Sequence, residues 1–260
     1  ITGSRGKSTT ALMIHNYLKY IGYKSTLYSS VMVDSPASHL KKNEAYEVAV
    51  RDVESLISII GEVEAYGAEY LVLEVNESTL EKGFLKDVPF DVRVLTNLNS
   101  KHNLEQYTEE EYVELKKSFF RNIDDECKCI FGFQDYSKEL LEELLQLNNY
   151  PKYICSSNYI ATLKGVEKNK VTCLLTGLDS EISGMKLQFK LNDEVLNLNT
   201  NLMMSYNALN VLTAITTLEA LSVFNNTKFE EALNNLVIPG RAEVFKEKGK
   251  IIIVDRKSVV

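Results

Sequence analysis

No stretch of this sequence is apolar for long enough to cross a bilayer, so a helical membrane span is excluded within these 260 residues. No signal peptide is visible within these residues, so none is expected. Cysteine is scarce: the four (Cys127, Cys129, Cys155 and Cys173) show no paired zinc spacing. Cys127-Lys128-Cys129 alternates along a strand-like run, so the thiols read as buried and free, which suits a reducing cytoplasm. Positive charge is in deficit, with 29 Lys and Arg against 36 Asp and Glu. The resulting net charge of -7 argues against nucleic acid as the main partner. Internal repeats and low-complexity segments are absent. What remains, 45% hydrophobic and 25% charged residues, describes a globular chain with ample core material, enough for one large domain or one and a half.

The informative stretch is the opening, Ile1-Thr2-Gly3-Ser4-Arg5-Gly6-Lys7-Ser8-Thr9-Thr10. A short apolar lead-in meets a Gly-containing turn, and an amphipathic run follows (Ala11, Leu12, Ile14, Tyr17, Leu18, Ile21). Strand end, loop and helix in that order form a P-loop. Glycines let the backbone turn its N–H groups inward, the helix N-terminus adds partial positive charge, and Lys7 adds a full one. The Ser8 hydroxyl is placed to ligate a magnesium ion that accompanies phosphate. Ile1 stands where the full pattern has glycine, so the match is to a shortened form. The plainer alternative is a Gly-containing turn capping a helix that exposes a lysine.

Along the chain, helices are expected over 7–22, 50–66, 108–120, 137–147, 205–221 and 229–236. The helix at 108 carries a capping box, Thr108 with Glu111 three residues on. Strands are expected over 24–30, 70–75, 91–98 and 127–133. Residues 31–43, with Pro36 and His39, read as a loop. Three short strands over 171–175, 185–191 and 195–198 read as a small antiparallel patch, and 242–245 with 251–254 as strands about a turn. The alternation predicts an α/β, doubly wound, mostly parallel sheet with a P-loop and that patch. Ligands in such sheets sit beyond the carboxyl ends of the strands.

Several side chains fall at those ends. Glu74 closes the apolar run Tyr70-Leu71-Val72-Leu73, either emerging into solvent or paired with a metal. His102 follows the next strand; imidazole is an unusual magnesium ligand, and a loop histidine is usually unremarkable. On the helix at 108, Lys116 shares the inward face of Tyr112 and Phe119, whereas Lys117 points elsewhere and is expected to be solvated. Lys116 either snorkels along the core edge or presents an amine near a metal, where carbon dioxide would convert it to an anionic carbamate. His15 reads as an ordinary surface or packing residue. Asn207 and Asn210, three apart, share a helix face and either cap it or read a base edge. Pro239-Gly240-Arg241 presents a guanidinium suited to phosphate or ribose, and Asp255 ends the last strand.

Together and in this order, these positions resemble the central ATP-binding domain of the Mur ligase superfamily, in which an amino acid is joined to a carboxylate through an acyl phosphate. The family loop Thr-Gly-Thr-x-Gly-Lys-Thr-Thr is similar to residues 2–9, and Glu-Val-Ser-Ser to Glu74-Val75-Asn76-Glu77. The family's Thr-Asn-Leu-x-x-Asp-His looks like 96–102, and its Glu-Glu-Tyr-x-x-x-Lys looks like 110–116. Asn-x-x-Asn matches Asn207 and Asn210, Pro-Gly-Arg matches 239–241, and the hinge Asp matches Asp255. The nearest resemblance is to the ligase that adds the third peptide residue to UDP-N-acetylmuramoyl-dipeptide.

The resemblance implies a cytoplasmic, ADP-forming amide ligase of peptidoglycan precursor synthesis with small-molecule substrates, and no nucleic acid or membrane partner. ATP would be held by Gly3, Ser4, Arg5, Gly6, Lys7, Ser8, Thr9, Asn207, Asn210, Arg241 and Asp255. Magnesium (Mg2+) would sit at Ser8 and Glu74, with a second near His102 and a carbamylated Lys116; Lys7, Lys116 and His102 would be catalytic. Residues 1–241 would form the central domain and 242–260 the last strands and hinge, with acceptor-binding and amino-acid-binding domains outside these residues. The sequence departs from the nearest ligase on the acceptor side, at Asn76-Glu77-Ser78, at Val48-Ala49-Val50 and after Asp255. A Mur-like ligase acting on poly-γ-glutamate, cyanophycin, pseudomurein or folate is the alternative within the superfamily. A nucleotide-binding module without catalysis is the alternative outside it.

Overall fold

The structure, a computed structural model, describes residues 1–35, 52–83, 85–86, 88–99, 105–121, 126–134, 136–157, 171–241, 243–247 and 250–255. His39, Val48-Ala49-Val50 and His102 lie outside the described residues. The elements run α1 (Lys7–Tyr20), β1 (Ser25–Tyr28), β2 (Val33–Asp34), α2 (Val53–Tyr66), β3 (Tyr70–Leu73), α3 (Glu77–Glu81), β4 (Val92–Leu95) and α4 (Glu109–Ser118). They continue with β5 (Lys128–Phe133), α5 (Lys138–Gln146), β6 (Lys152–Ser156), β7 (Val171–Glu181), β8 (Gly184–Leu191) and β9 (Glu194–Thr200). The last are α6 (Asn207–Ala220), α7 (Asn226–Asn234), β10 (Glu243–Glu247) and β11 (Lys250–Val254).

One sheet of order β2-β1-β3 and another of order β4-β5-β6-β7-β8-β9 are joined by the first two residues of the chain. Val75 donates its N–H to the Ile1 carbonyl at 2.8 Å, and Thr2 donates to the Val94 carbonyl at 2.8 Å. Thr96 returns a bond to the Thr2 carbonyl at 2.9 Å. Ile1 and Thr2 thus lie as a short parallel strand between β3 and β4. From there the chain crosses through α1 to β1 on one side, and β3 crosses over to β4 on the other. The opening loop therefore leaves the sheet at a topological switch point, where open α/β sheets form their ligand crevice.

Both faces of the sheet are covered, because successive strand residues alternate between two cores. Leu27 and Val72 pack with α1, α6 and α7 (Leu12, Tyr17, Leu212, Phe229). Their neighbours Tyr28 and Leu73 pack on the other side with Leu56, Tyr112 and Leu141 from α2, α4 and α5. Each fully buried aliphatic or aromatic side chain of this kind contributes about 1.5–3 kcal/mol. The four cysteines are free and buried.

The doubly wound sheet and the hairpin β10–β11 are as the sequence reading expects. Four details differ. The antiparallel strands β7, β8 and β9 are longer than expected and continue the main sheet, since β7 pairs in parallel with β6 before β8 adds antiparallel. Strand β6 was not anticipated, because Lys152-Tyr153-Ile154-Cys155-Ser156 is short and polar at its ends. The dipeptide strand β2 lies in the stretch read as a loop. Helix α3, five residues long, starts where the Asn76 side chain accepts the Thr79 N–H.

Candidate nucleotide and metal site

The loop Gly3–Gly6 is held open by two glycines that nothing larger could replace. Gly3 has φ 145° and Gly6 φ 79°, in the region that favours glycine. A Cβ on Gly3 would lie 2.1 Å from Thr96 Oγ1, and one on Gly6 would lie 2.0 Å from Asn210 Oδ1. The end of β4 fastens the loop: Ser4 N–H donates to the Asn97 carbonyl at 3.1 Å and Arg5 N–H to Asn97 Oδ1 at 3.1 Å. Thr96 Oγ1 and Asn97 Nδ2 both donate to the Arg5 carbonyl, at 2.6 and 3.0 Å. Arg5 itself is exposed and Thr9 is buried in the first turn of α1. Among the described residues no side chain caps the N-terminus of α1, which leaves its first N–H groups to an anion. Lys7 folds back, its Nζ donating to the Gly3 carbonyl at 2.9 Å.

Beside the helix start, three oxygen-bearing side chains converge. Glu74 is 6% exposed; it accepts the Ser30 N–H at 2.8 Å and the Ser30 hydroxyl at 3.1 Å. Ser30 Oγ lies 3.0 Å from Ser8 Oγ. Hydroxyl, hydroxyl and carboxylate are the hard donors magnesium takes, so these residues fit that ion. Glu74 does not emerge into solvent: it is buried against Ser30. Ser30 is a candidate site residue that the sequence reading passed over. The rule that found Glu74 applies to it equally, since Ser29-Ser30 follows the carboxyl end of β1.

Lys116 is fully buried, on the face of α4 that its spacing predicts. Its Nζ donates to Thr2 Oγ1 at 3.0 Å and pairs with Glu77 Oε1 at 2.8 Å. The same Glu77 oxygen accepts the Tyr112 hydroxyl at 3.2 Å and lies 4.0 Å from Lys7 Nζ. Tyr112 also bonds Ser4 Oγ at 3.0 Å, tying α4 to the loop. Burial raises the Glu77 carboxyl, but the charges of Lys7 and Lys116 and the bond from Lys116 outweigh it and bring its pKa to about 2. Burial, aided by the charge of Lys7 and opposed by Glu77, lowers Lys116 to about 8. Lys117 corrects the expectation of a solvated side chain: it is buried, with Nζ 2.5 Å from Glu114 Oε1 and 2.9 Å from Glu143 Oε2 of α5.

The remaining predicted residues gather at the start of α6. Asn207 and Asn210 are buried; Asn207 Nδ2 donates to the Met203 carbonyl at 2.8 Å and Asn210 Nδ2 to Asn207 Oδ1 at 3.0 Å. The Asn210 amide lies directly against Gly6. The Asp255 carboxylate accepts the Tyr206 hydroxyl at 3.1 Å. Burial, chiefly, and that carboxylate push the Tyr206 phenol up to about 12, while the nearby Arg241 charge opposes them. Away from the site, His15 is buried between Ser25 Oγ, 2.9 Å, and Asp34 Oδ2, 3.1 Å, as a packing residue with polar partners.

A family model described as Mur ligase middle domain matches residues 1–218. The UDP-N-acetylmuramoyl-L-alanyl-D-glutamate--2,6-diaminopimelate ligase of Rickettsia conorii is 23% identical over 260 residues, covering 100% of this chain and 50% of that protein. The ligase of the same name from Helicobacter hepaticus is 24% identical over 259 residues, covering 97% and 51%. The chain thus spans about half the length of these relatives. Among solved structures, one of UDP-N-acetylmuramoyl-L-alanyl-D-glutamate--2,6-diaminopimelate ligase aligns with a TM-score of 0.76 at 18% identity, covering 97% of this chain and 49% of that one. The MurF ligase of Thermotoga maritima, solved with ADP, aligns with a TM-score of 0.68 at 19% identity, covering 98% and 52%.

Proposed function

Because the chain belongs to the Mur ligase middle domain family, we propose that it is the nucleotide-binding part of an ATP-dependent, ADP-forming ligase. The reaction would add an amino acid to a UDP-N-acetylmuramoyl peptide in the cytoplasm, for peptidoglycan precursor synthesis. Residues 1–241 would form the central domain and 242–260 the last strands and the hinge. The observation that carries this reading is the convergence of Ser8, Ser30 and Glu74 beside Lys7 at the uncapped start of α1.

In this reading the open N–H groups of the loop and of α1 receive the ATP phosphates. Lys7 leaves the Gly3 carbonyl and turns its ammonium to the β- and γ-phosphates. An acceptor carboxylate oxygen attacks the γ-phosphorus as ADP leaves. An amine nitrogen then attacks the acyl carbon, phosphate leaves, and the nitrogen gives up a proton. Protein groups work here by positioning and by offsetting charge. Ser8, Ser30 and Glu74 would hold magnesium, which when bound neutralises phosphate charge. His102 is assigned to a second metal from its motif alone. Asn207 and Asn210 would face adenine, with Arg241 and Asp255 near the ribose and phosphates.

Release of ADP by the full-length protein, dependent on both a UDP-N-acetylmuramoyl dipeptide and an amino acid, tests the assignment. Lys7→Ala should abolish it; undiminished release by that variant contradicts the role of the loop. Dependence on a different carboxylate acceptor would move the protein to another branch of the superfamily.

A further inference from the structure

Thr96, which fastens the opening loop, is itself wedged between two glycines from distant parts of the chain. The β4–β5 ladder ends at the pair Leu95 and Phe131. Beyond it Thr96 turns its N–H to the Thr2 carbonyl at 2.9 Å, and its Oγ1 donates to the Arg5 carbonyl at 2.6 Å. On one side a Cβ on Gly3 would lie 2.1 Å from Thr96 Oγ1. On the other, a Cβ on Gly132 would lie 1.9 Å from the Thr96 carbonyl oxygen, 2.7 Å from its carbonyl carbon and 3.1 Å from the Leu95 oxygen. All three are backbone atoms, so no side-chain rotation makes room. Gly132 is buried in β5, between β4 and β6, where a glycine weakens the strand and marks a close approach of backbone. None of the roles above uses it.

We propose that Gly132 is a positioning residue for the opening loop: bearing no side chain, it leaves the space that the Thr96 carbonyl fills, and so sets where Thr96 and Asn97 hold the loop. Heavy atoms in contact stand about 3.5 Å apart. An alanine methyl at Gly132 would therefore drive the Thr96 carbonyl back by more than about 1 Å. A displacement of that size takes the 2.6 Å bond to Arg5 beyond hydrogen-bond length, and Asn97, the next residue, moves with it. Ser4 and Arg5 donate their N–H groups to the Asn97 carbonyl and to Asn97 Oδ1, at 3.1 Å each, and would lose those fixed acceptors. Gly132 thus acts on the loop through Thr96.

The consequence for nucleotide binding rests on the ligase reading, whereas the loop is followed by amide hydrogen exchange without nucleotide, so either can fail alone. The variants are Gly132→Ala and, as the second, Thr96→Val, which removes only the Oγ1 donor. In both, exchange at the Ser4 and Arg5 amides should quicken about tenfold, the opening expected when about 1.4 kcal/mol of hydrogen bonding is lost. That change should exceed any at the Leu187 and Phe189 amides of β8, which is paired on both sides and reports global opening. MgATP affinity, measured by calorimetry, should fall about five- to tenfold in each variant, and the double variant should fall short of the product of the two. A merely structural role for Gly132 would quicken β8 and spare the loop. Loop amides that exchange at the parent's rate in either folded variant overturn the proposal, as do affinity losses that multiply. Should Gly132→Ala not fold, Thr96→Val decides alone: quickened loop exchange sustains the proposal and unchanged exchange overturns it. A parent that does not bind MgATP overturns the ligase reading and leaves the exchange result to decide this one.

Discussion

Replacing Lys116 by methionine removes one charge from a buried pair, and the structure sets how much that should cost. The Glu77 carboxyl, brought from its ordinary 4.5 to about 2, contributes about 3 kcal/mol at neutral pH, at 1.36 kcal/mol per tenfold change. Lys116, brought from 10.5 to about 8, opposes folding by about the same amount. Pair formation is therefore close to neutral for stability, as buried ion pairs commonly are. Breaking the pair is a different matter. Lys116→Met leaves the carboxylate buried, with Lys7 4.0 Å away as its remaining cation among the described residues, and should cost about 3–5 kcal/mol. Glu77→Gln keeps the shape and an acceptor for Nζ, so its cost should be smaller, about 2–3 kcal/mol. The double variant, neutral on both sides, should return to within about 1 kcal/mol of the parent. Urea unfolding at pH 7, with midpoint and slope both fitted, measures all four proteins. The cycle should give a coupling of about 4 kcal/mol or more; costs that add to within about 0.5 kcal/mol would refute the pairing.

The same two groups predict a pH dependence of stability. Glu77, lowered by folding, stabilises fully above about pH 4.5 and loses that contribution as pH falls towards about 2. Lys116 is also lowered, so the unfolded chain binds its proton more tightly and stability rises from about pH 8 to 10.5. Urea midpoints across pH should show the alkaline rise in the parent and its absence in Lys116→Met. Gly6→Ala should add about 1 kcal/mol of left-handed strain and displace Asn210, whose Oδ1 would lie 2.0 Å from the new Cβ. Its thermal midpoint should fall and its nucleotide affinity with it; an unchanged affinity would separate the loop from the nucleotide.

What was legible in the sequence was what short spacing encodes. Thr108 caps α4 with Glu111, as the pattern three residues apart requires. Lys116 points inward because it lies one turn from Tyr112 on the same face. The turn of the opening loop was legible because Gly3 and Gly6 take backbone angles that favour glycine. Contacts made by folding were not legible. Ser30 meets Ser8 across 22 residues, and Glu77 meets the Tyr112 hydroxyl across 35, with no local signal of either pairing. Lys117 was misread for the same reason: helical spacing placed it outward, but Glu143 of α5 closes over it. Strand β6 depends on its neighbours, lying between β5 and β7 with too few apolar residues to announce itself.

The claim that the opening loop is the nucleotide site is tested most directly by calorimetric titration of MgATP into this chain and into its Lys7→Ala variant. Saturable binding by the parent that disappears in the variant is the predicted result. Equal binding by both proteins would contradict the account, because the phosphates would then lie away from the one lysine that the loop holds against Gly3.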